Sequence, residues 1–155
     1  MKTLVKYSLN GASAELIADH LLCCDTDFIP PLSGRVEIND YAQKIVNKAT
    51  RFEAWSGSAL VGLVAVYCSD QQKHVAFITS VSVLRAWTGS GIATQLLGQC
   101  IDHARVLGMQ QIRLEVSGDN AHAIRVYKKS GFVTEKANAL FVSMSLVLKS
   151  GEAHE

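Results

Sequence analysis

The chain has 155 residues, 48% of them hydrophobic, and a formal net charge of +1; that is enough for one well-buried core and too little for two ordinary domains. Near-neutral charge gives no long-range field for a polyanion, and no basic run is interleaved with aromatics, so nucleic-acid binding is not expected. The longest apolar run, Ala59 to Cys68, is about half the length needed to cross a bilayer, and the N-terminal segment has too short an apolar core for a signal peptide; the expectation is a cytoplasmic protein with no membrane partner.

In chain order, Thr3 to Ser8 reads as a first strand, and Ala12 to Cys24 places Leu16, Ile17, His20, Leu21 and Cys24 on one helical face. Asp25 to Gly34 is a loop, because neither Pro30 nor Pro31 can continue a helix and each biases its predecessor to extended geometry. Glu37 to Ala49 reads as a second helix with Ile38, Tyr41, Ala42, Ile45 and Ala49 inward. Arg51 to Trp55, a turn at Ser56-Gly57 and Ala59 to Cys68 form a hairpin. A polar turn at Ser69 to Lys73 precedes a fourth strand, His74 to Val83. An apolar stripe from Ile92 through Leu96, Leu97, Cys100, Ile101 and Ala104 to Leu107 marks a helix that Gly108 stops. Strand Gln111 to Ser117, helix Asp119 to Lys129 and strands Phe132 to Glu135 and Leu140 to Leu148 complete the order. Residues 1–149 form one domain and Ser150 to Glu155 a frayed tail. This order predicts an α/β mixed sheet with helices on both faces. Cys23, Cys24, Cys68 and Cys100 lack a Cys-x-x-Cys or paired-His spacing, so reduced, mostly buried thiols and no metal are expected.

Between the fourth strand and its helix lies Thr88-Gly89-Ser90-Gly91-Ile92-Ala93. Two glycines where a strand reverses direction let the backbone take positive φ and lie against a ligand without an intervening Cβ. The first-turn amides and the positive end of the helix dipole face the same turn, which makes a pyrophosphate site. A P-loop would need Gly-Lys-Ser/Thr, whereas Ile92 and Ala93 follow Gly91; a dinucleotide fingerprint would need a third glycine where Thr94 stands.

Thr88-x-x-Gly91-x-Ala93, preceded by Val83-Leu84, resembles the acyl-CoA loop of the GNAT superfamily of N-acetyltransferases. Leu114-Glu115-Val116, Asn120, Ala123-Ile124, Tyr127 and Gly131-Phe132 resemble that family's second block at its usual spacing. Thr88 departs from the usual Gln or Arg, leaving one fewer long donor for the pyrophosphate, although the hydroxyls of Thr88 and Ser90 and the amides of residues 88 to 93 can serve. Arg85 stands where Pro is common. The resemblance implies a GNAT fold: a mostly antiparallel twisted sheet of about seven strands, about four flanking helices, and splayed fourth and fifth strands between which a pantetheine arm lies like an added strand. Val81, Ser82 and Val83 would then offer main-chain partners to the arm, and Asn120 a further bond to it besides capping its helix. The implied activity is transfer of the acetyl group of acetyl-CoA, without a metal, to a primary amine; a protein N-terminus or lysine as acceptor, or an inactive acetyl-CoA-binding module, are the alternatives, and a homodimer stays open.

In that chemistry a main-chain N–H near Val81 to Val83 would meet the oxyanion. Tyr127 would be the general acid for the departing thiolate, because a phenol of pKa about 10 stays protonated until then. For the base there are two side-chain candidates, with a water chain as the alternative to both. Glu115 lies on a strand expected to be covered on both faces, where a carboxylate is paired or functional; an ion pair with Arg113 is the competing account. His74 is the other. Arg125, Lys128 and Lys129 could reach CoA phosphates. The loop carrying Asp25, Asp27 and Phe28 offers two carboxylates beside an aromatic, a set suited to a cationic amine.

Overall fold

The computed structural model describes residues 4–68 and 74–148; the expected turn at 69–73 and the tail at 150–155 lie outside the described residues. Strand β1 (Lys6–Leu9) leads into helix α1 (Ala14–Cys23), two 3-10 turns (Asp25–Asp27 and Leu32–Gly34) and helix α2 (Ile38–Lys48). There follow β2 (Thr50–Ser56), β3 (Ala59–Tyr67), β4 (Val75–Val83), a 3-10 turn at Arg85–Trp87, α3 (Ile92–Val106), β5 (Gln111–Ser117), α4 (Ala121–Lys129), β6 (Val133–Ala137) and β7 (Phe141–Val147). Helices α1 and α2 start where side chains can satisfy their first amides: Ser13 Oγ accepts from Leu16 N, and the Glu37 carboxylate accepts from Asn39 N and Asp40 N.

The strands form one sheet in the order β1-β2-β3-β4-β5-β7-β6, antiparallel at every pairing except β4 with β5. β3 is buried almost end to end because α3 lies on one of its faces and α1 on the other, which accounts for its unbroken apolar sequence. Two cores result, one under α3 around Val64, Leu96, Leu97 and Ile112, the other under α1 and α2 around Ile17, Leu21, Ile45 and Leu63. Gly62 sets the fit of the first: a Cβ there would sit 2.7 Å from Ile92 Cγ2 and 3.2 Å from Leu96 Cδ1, so the start of α3 seats directly on the strand.

The second core is tied down by a buried ion pair. Glu53 is fully buried and accepts from Gly11 N at 2.9 Å, Ala12 N at 3.0 Å and Ser8 Oγ at 3.3 Å. Arg51 approaches the same carboxylate at 3.5 Å and donates to the carbonyls of Val46 and Ala12. Satisfied on every side, the pair fixes the entry to α1.

Candidate active site

β4 and β5 run parallel only through Val75, Ala76 and Phe77 opposite Gln111, Ile112 and Arg113. Beyond that point the two strands part, and the β5-facing main-chain groups from Ile78 to Val83 have no strand partner among the described residues. A bulge adds to the separation: Ser80 pairs with Ala65 but Ile78 with Val66, leaving Thr79 extra on β4. Tyr41 from α2 holds it, with its hydroxyl 2.7 Å from the Thr79 carbonyl and from Thr79 Oγ1. The split opens a cleft of about 1170 Å³, walled by β4 from Phe77 to Val83, the turn into α3, Glu115 to Ser117 of β5, the exposed and half-buried side of α4, and the loop between α1 and α2.

At the α3 end, Gly89 and Gly91 have φ of 82° and 85°, and no atom lies within 4 Å of where a Cβ would stand on either. Only glycine adopts this left-handed backbone without strain. The first helical hydrogen bond of α3 is Gln95 N to the Gly91 carbonyl. The amides of Gly89, Ser90, Gly91, Ile92, Ala93 and Thr94 therefore have no acceptor among the described residues. These free donors at the positive end of a 15-residue helix form an anion cradle. The hydroxyls behave differently from expectation. Thr88 Oγ1 donates to the Arg85 carbonyl at 2.8 Å and Ser90 Oγ to the Trp87 carbonyl at 2.6 Å, so both serve the turn and the main chain alone is left to meet an anion. Lys129 lines both the cleft and an adjoining hollow along α3.

Tyr127 sits on α4, buried, and lines the cleft. Its place is set by how the helix ends. Gly131, at φ 106°, donates its N–H to the Lys128 carbonyl, and Phe132 N donates to the Tyr127 carbonyl at 3.0 Å; that is the paired bonding of a Schellman motif. The apolar contact that completes such a motif is the edge-on packing of Tyr127 on Phe132, ring centroids 6.1 Å apart. The Tyr-x-x-x-Gly-Phe spacing thus has a mechanical meaning. Burial pushes the phenol's pKa up. Asn120 caps α4 by accepting from Ala123 N at 3.1 Å, which leaves its side-chain NH₂ to the cleft it lines.

Glu115 also lines the cleft, but not for the reason expected. It is exposed, because α1 and α2 cover β2 and β3 and leave this face of β5 open. Arg113 is taken by Glu135 at 2.6 Å. His74 stands apart: it is exposed, precedes β4 at φ 54°, and its carbonyl receives Gln110 N, with the residue outside the cleft lining. The acceptor loop is likewise rearranged. Asp25 accepts from Ser33 N and Ser33 Oγ, both at 2.7 Å, which lowers its pKa, and it lies outside the lining. Asp27 is bridged by Arg85. Phe28 does line the cleft, yet the pair of free carboxylates expected beside it is absent, since a carboxylate already paired offers little to a second cation.

One polar constellation went unseen in the sequence. His20 of α1, 3% exposed, places Nδ1 2.8 Å from the Leu60 carbonyl and Nε2 2.8 Å from Ser82 Oγ. A carbonyl only accepts, so Nδ1 carries the proton and Nε2 accepts from the Ser82 hydroxyl. Ser82 and Cys24 line the cleft, with Cys24 Sγ 3.8 Å from Nε2. Burial lowers the imidazole pKa and raises that of the Cys24 thiol to about 12. The residues of the central hydrogen bond are 62 positions apart, and on the helix face His20 has the spacing of an ordinary core residue.

Residues 15–132 match the Acetyltransferase (GNAT) family. An uncharacterized N-acetyltransferase of Methanocaldococcus jannaschii is 34% identical over 76 residues, a segment that spans 46% of this chain and 34% of that protein. Among solved structures, a putative GNAT-family acetyltransferase from Desulfovibrio desulfuricans superposes with a TM-score of 0.77 at 19% identity, over 94% of this chain and 100% of that one. A Bacillus subtilis acetyltransferase in complex with CoA gives 0.72 at 18% identity, over 94% and 100%. The shared fold is the mostly antiparallel seven-stranded sheet with four helices described above.

Proposed function

The chain belongs to the GNAT acetyltransferase family, and on that premise we propose that it transfers the acetyl group of acetyl-CoA to the primary amine of a small-molecule acceptor, by direct attack within a ternary complex. The observation that carries the reading is the row of unpartnered amides from Gly89 to Thr94 at the head of α3, opening onto the split between β4 and β5. The fit to a CoA thioester is physical. The amides suit the pyrophosphate, Lys129 suits a further phosphate, and the free edges of β4 and β5 suit the amide-bearing arm as an added strand. A CoA complex of a protein with the same fold supports this use of the cleft.

The acceptor enters from the α1–α2 side, where Phe28, Leu32, Val36 and Tyr41 wall the cleft together with the paired Arg85 and Asp27; the partly apolar lining there favours a small amine over a protein chain. Glu115, the cleft carboxylate free of a cation among the described residues, draws the ammonium group in. The deprotonated amine attacks the thioester carbonyl, a main-chain N–H near Val81 to Val83 receives the oxyanion, and the C–S bond breaks. The thiolate takes a hydrogen bond, then the proton, from Tyr127, whose burial keeps the phenol neutral until that moment.

Acetyl-CoA raises the melting midpoint, as any ligand that binds only the folded state must, and thiol release across a panel of amines and amino-terminal peptides identifies the acceptor. Tyr127→Phe lowers turnover by about 100-fold or more while keeping that thermal shift. Loss of the shift in this variant would mean that the phenol binds the cofactor rather than protonating the leaving group.

A further inference from the structure

We propose that Ser82 and His20 form a proton relay that activates the attacking nucleophile, and that, as a consequence, the protein slowly hydrolyses acetyl-CoA when no amine is present. This rests on the acetyl-transfer reading and adds the base that it lacks. Ser82 is on β4 at the floor of the cleft, where a nucleophile must stand to reach a thioester held in the split. Its Oγ is 2.8 Å from His20 Nε2, and the imidazole is oriented from behind by the Leu60 carbonyl, 2.8 Å from Nδ1. The amine N–H, or a water O–H, gives its proton to Ser82 Oγ as the new bond to the carbonyl carbon forms; the Ser82 proton moves to Nε2; the C–S electron pair leaves with sulfur and is protonated through Tyr127. Attack by water yields acetate and CoA, with no further reactant. Ser82 is the group that touches the substrate, and His20 is a positioning residue that acts through it.

The surroundings suit a neutral base. Facing His20 are Cys24 from its own helix, the Ser82 hydroxyl from β4 and the Leu60 carbonyl from β3; the thiol is held protonated, with its pKa raised to about 12, so no anion competes for the proton. Glu115, in the open on β5, lacks this enclosure.

Thiol release from acetyl-CoA in amine-free buffer tests the relay without knowledge of the acceptor. The wild-type rate should exceed the buffer rate and fall on acidification below about pH 6.5, the ordinary imidazole pKa, because burial moves the His20 titration downward. Ser82→Ala and His20→Asn, the latter keeping a donor for the Leu60 carbonyl, should each lose about 100-fold with the acetyl-CoA thermal shift retained; His20→Asn should also lose the acid limb, and Ser82→Thr should restore much of the rate. Wild-type hydrolysis at the buffer rate with an intact thermal shift would overturn the relay and leave the acetyl-transfer reading standing, whereas absence of any shift would remove that reading itself. Hydrolysis that survives Ser82→Ala but not Glu115→Gln would assign the proton to Glu115 and equally end the proposal.

Discussion

On one wall of the cleft the polar groups facing the opening are main-chain amides without an acceptor among the described residues; on the other, between the α1–α2 loop and β4, they are side chains such as Asp27 and Ser82 that already have partners. Gly89 to Thr94 present bare N–H groups, whereas Asp27 is held by Arg85 and Ser82 by His20, with Asp25 on Ser33 and His20 on the Leu60 carbonyl fixed outside the lining. On the proposed acetyl-transfer reading, the contrast follows from what each wall must do. A phosphate is the same in every carrier molecule, so fixed dipoles suffice. An acceptor varies, and the side-chain wall makes its own internal order first, leaving a shaped and largely neutral pocket for a guest.

The largest expected effect falls on the core behind the side-chain wall. Glu53→Ala removes the acceptor of Gly11 N and Ala12 N and strands buried Arg51, and should lower stability by about 3 to 5 kcal/mol in urea denaturation; a loss under about 1 kcal/mol would mean that the entry to α1, which carries that wall, does not depend on the buried pair. On the other wall, Gly91→Ala should cost about 1–2 kcal/mol of left-handed strain and abolish most of the acetyl-CoA thermal shift. Gly98→Ala, in the interior of the same helix with nothing within 4 Å of its Cβ position, should instead gain about 1 kcal/mol. If both substitutions behaved alike, the cradle would not owe its shape to backbone conformation.

A pH titration separates the walls further. His20 has a folded pKa below that of the unfolded chain, so the unfolded state binds the proton first, and stability is full above about pH 6.5 and declines as pH falls from there toward the folded pKa. Denaturation midpoints should show this decline in the wild type and a weaker one in His20→Asn. The smallest change is expected for Asp27→Asn, which removes an exposed, solvent-screened ion pair and should leave both the denaturation midpoint and the acetyl-CoA shift nearly as they were; a large change in that shift would show that the bridge shapes the cradle.

The same contrast governs how much could be read from the residues alone. The order of strands and helices, the glycine turn and the Tyr127–Phe132 spacing are local patterns, each set by backbone conformation within a few positions, and they were legible. Asp25 and Asp27 read as a cation site because a sequence displays their charges but not Ser33 and Arg85 beside them; Glu115 read as covered because alternation gives a residue's face without saying what lies over it. Ser82 reads for its main chain and His20 as a core residue, but their pairing carries no signal, since it is made by the packing of α1 on β3 and by nothing in their spacing.

Gly62 carries a further implication. The missing methyl on β3 fixes the height at which Ile92, and with it the crown of unpaired amides, rests above the sheet. Adding one carbon at this position would raise the crown without altering any group that meets the carrier. Grip on the cofactor is in that sense adjustable from beneath, through a strand whose Gly62 is itself no part of the cleft wall, and relatives that differ there would hold the same molecule at a different depth.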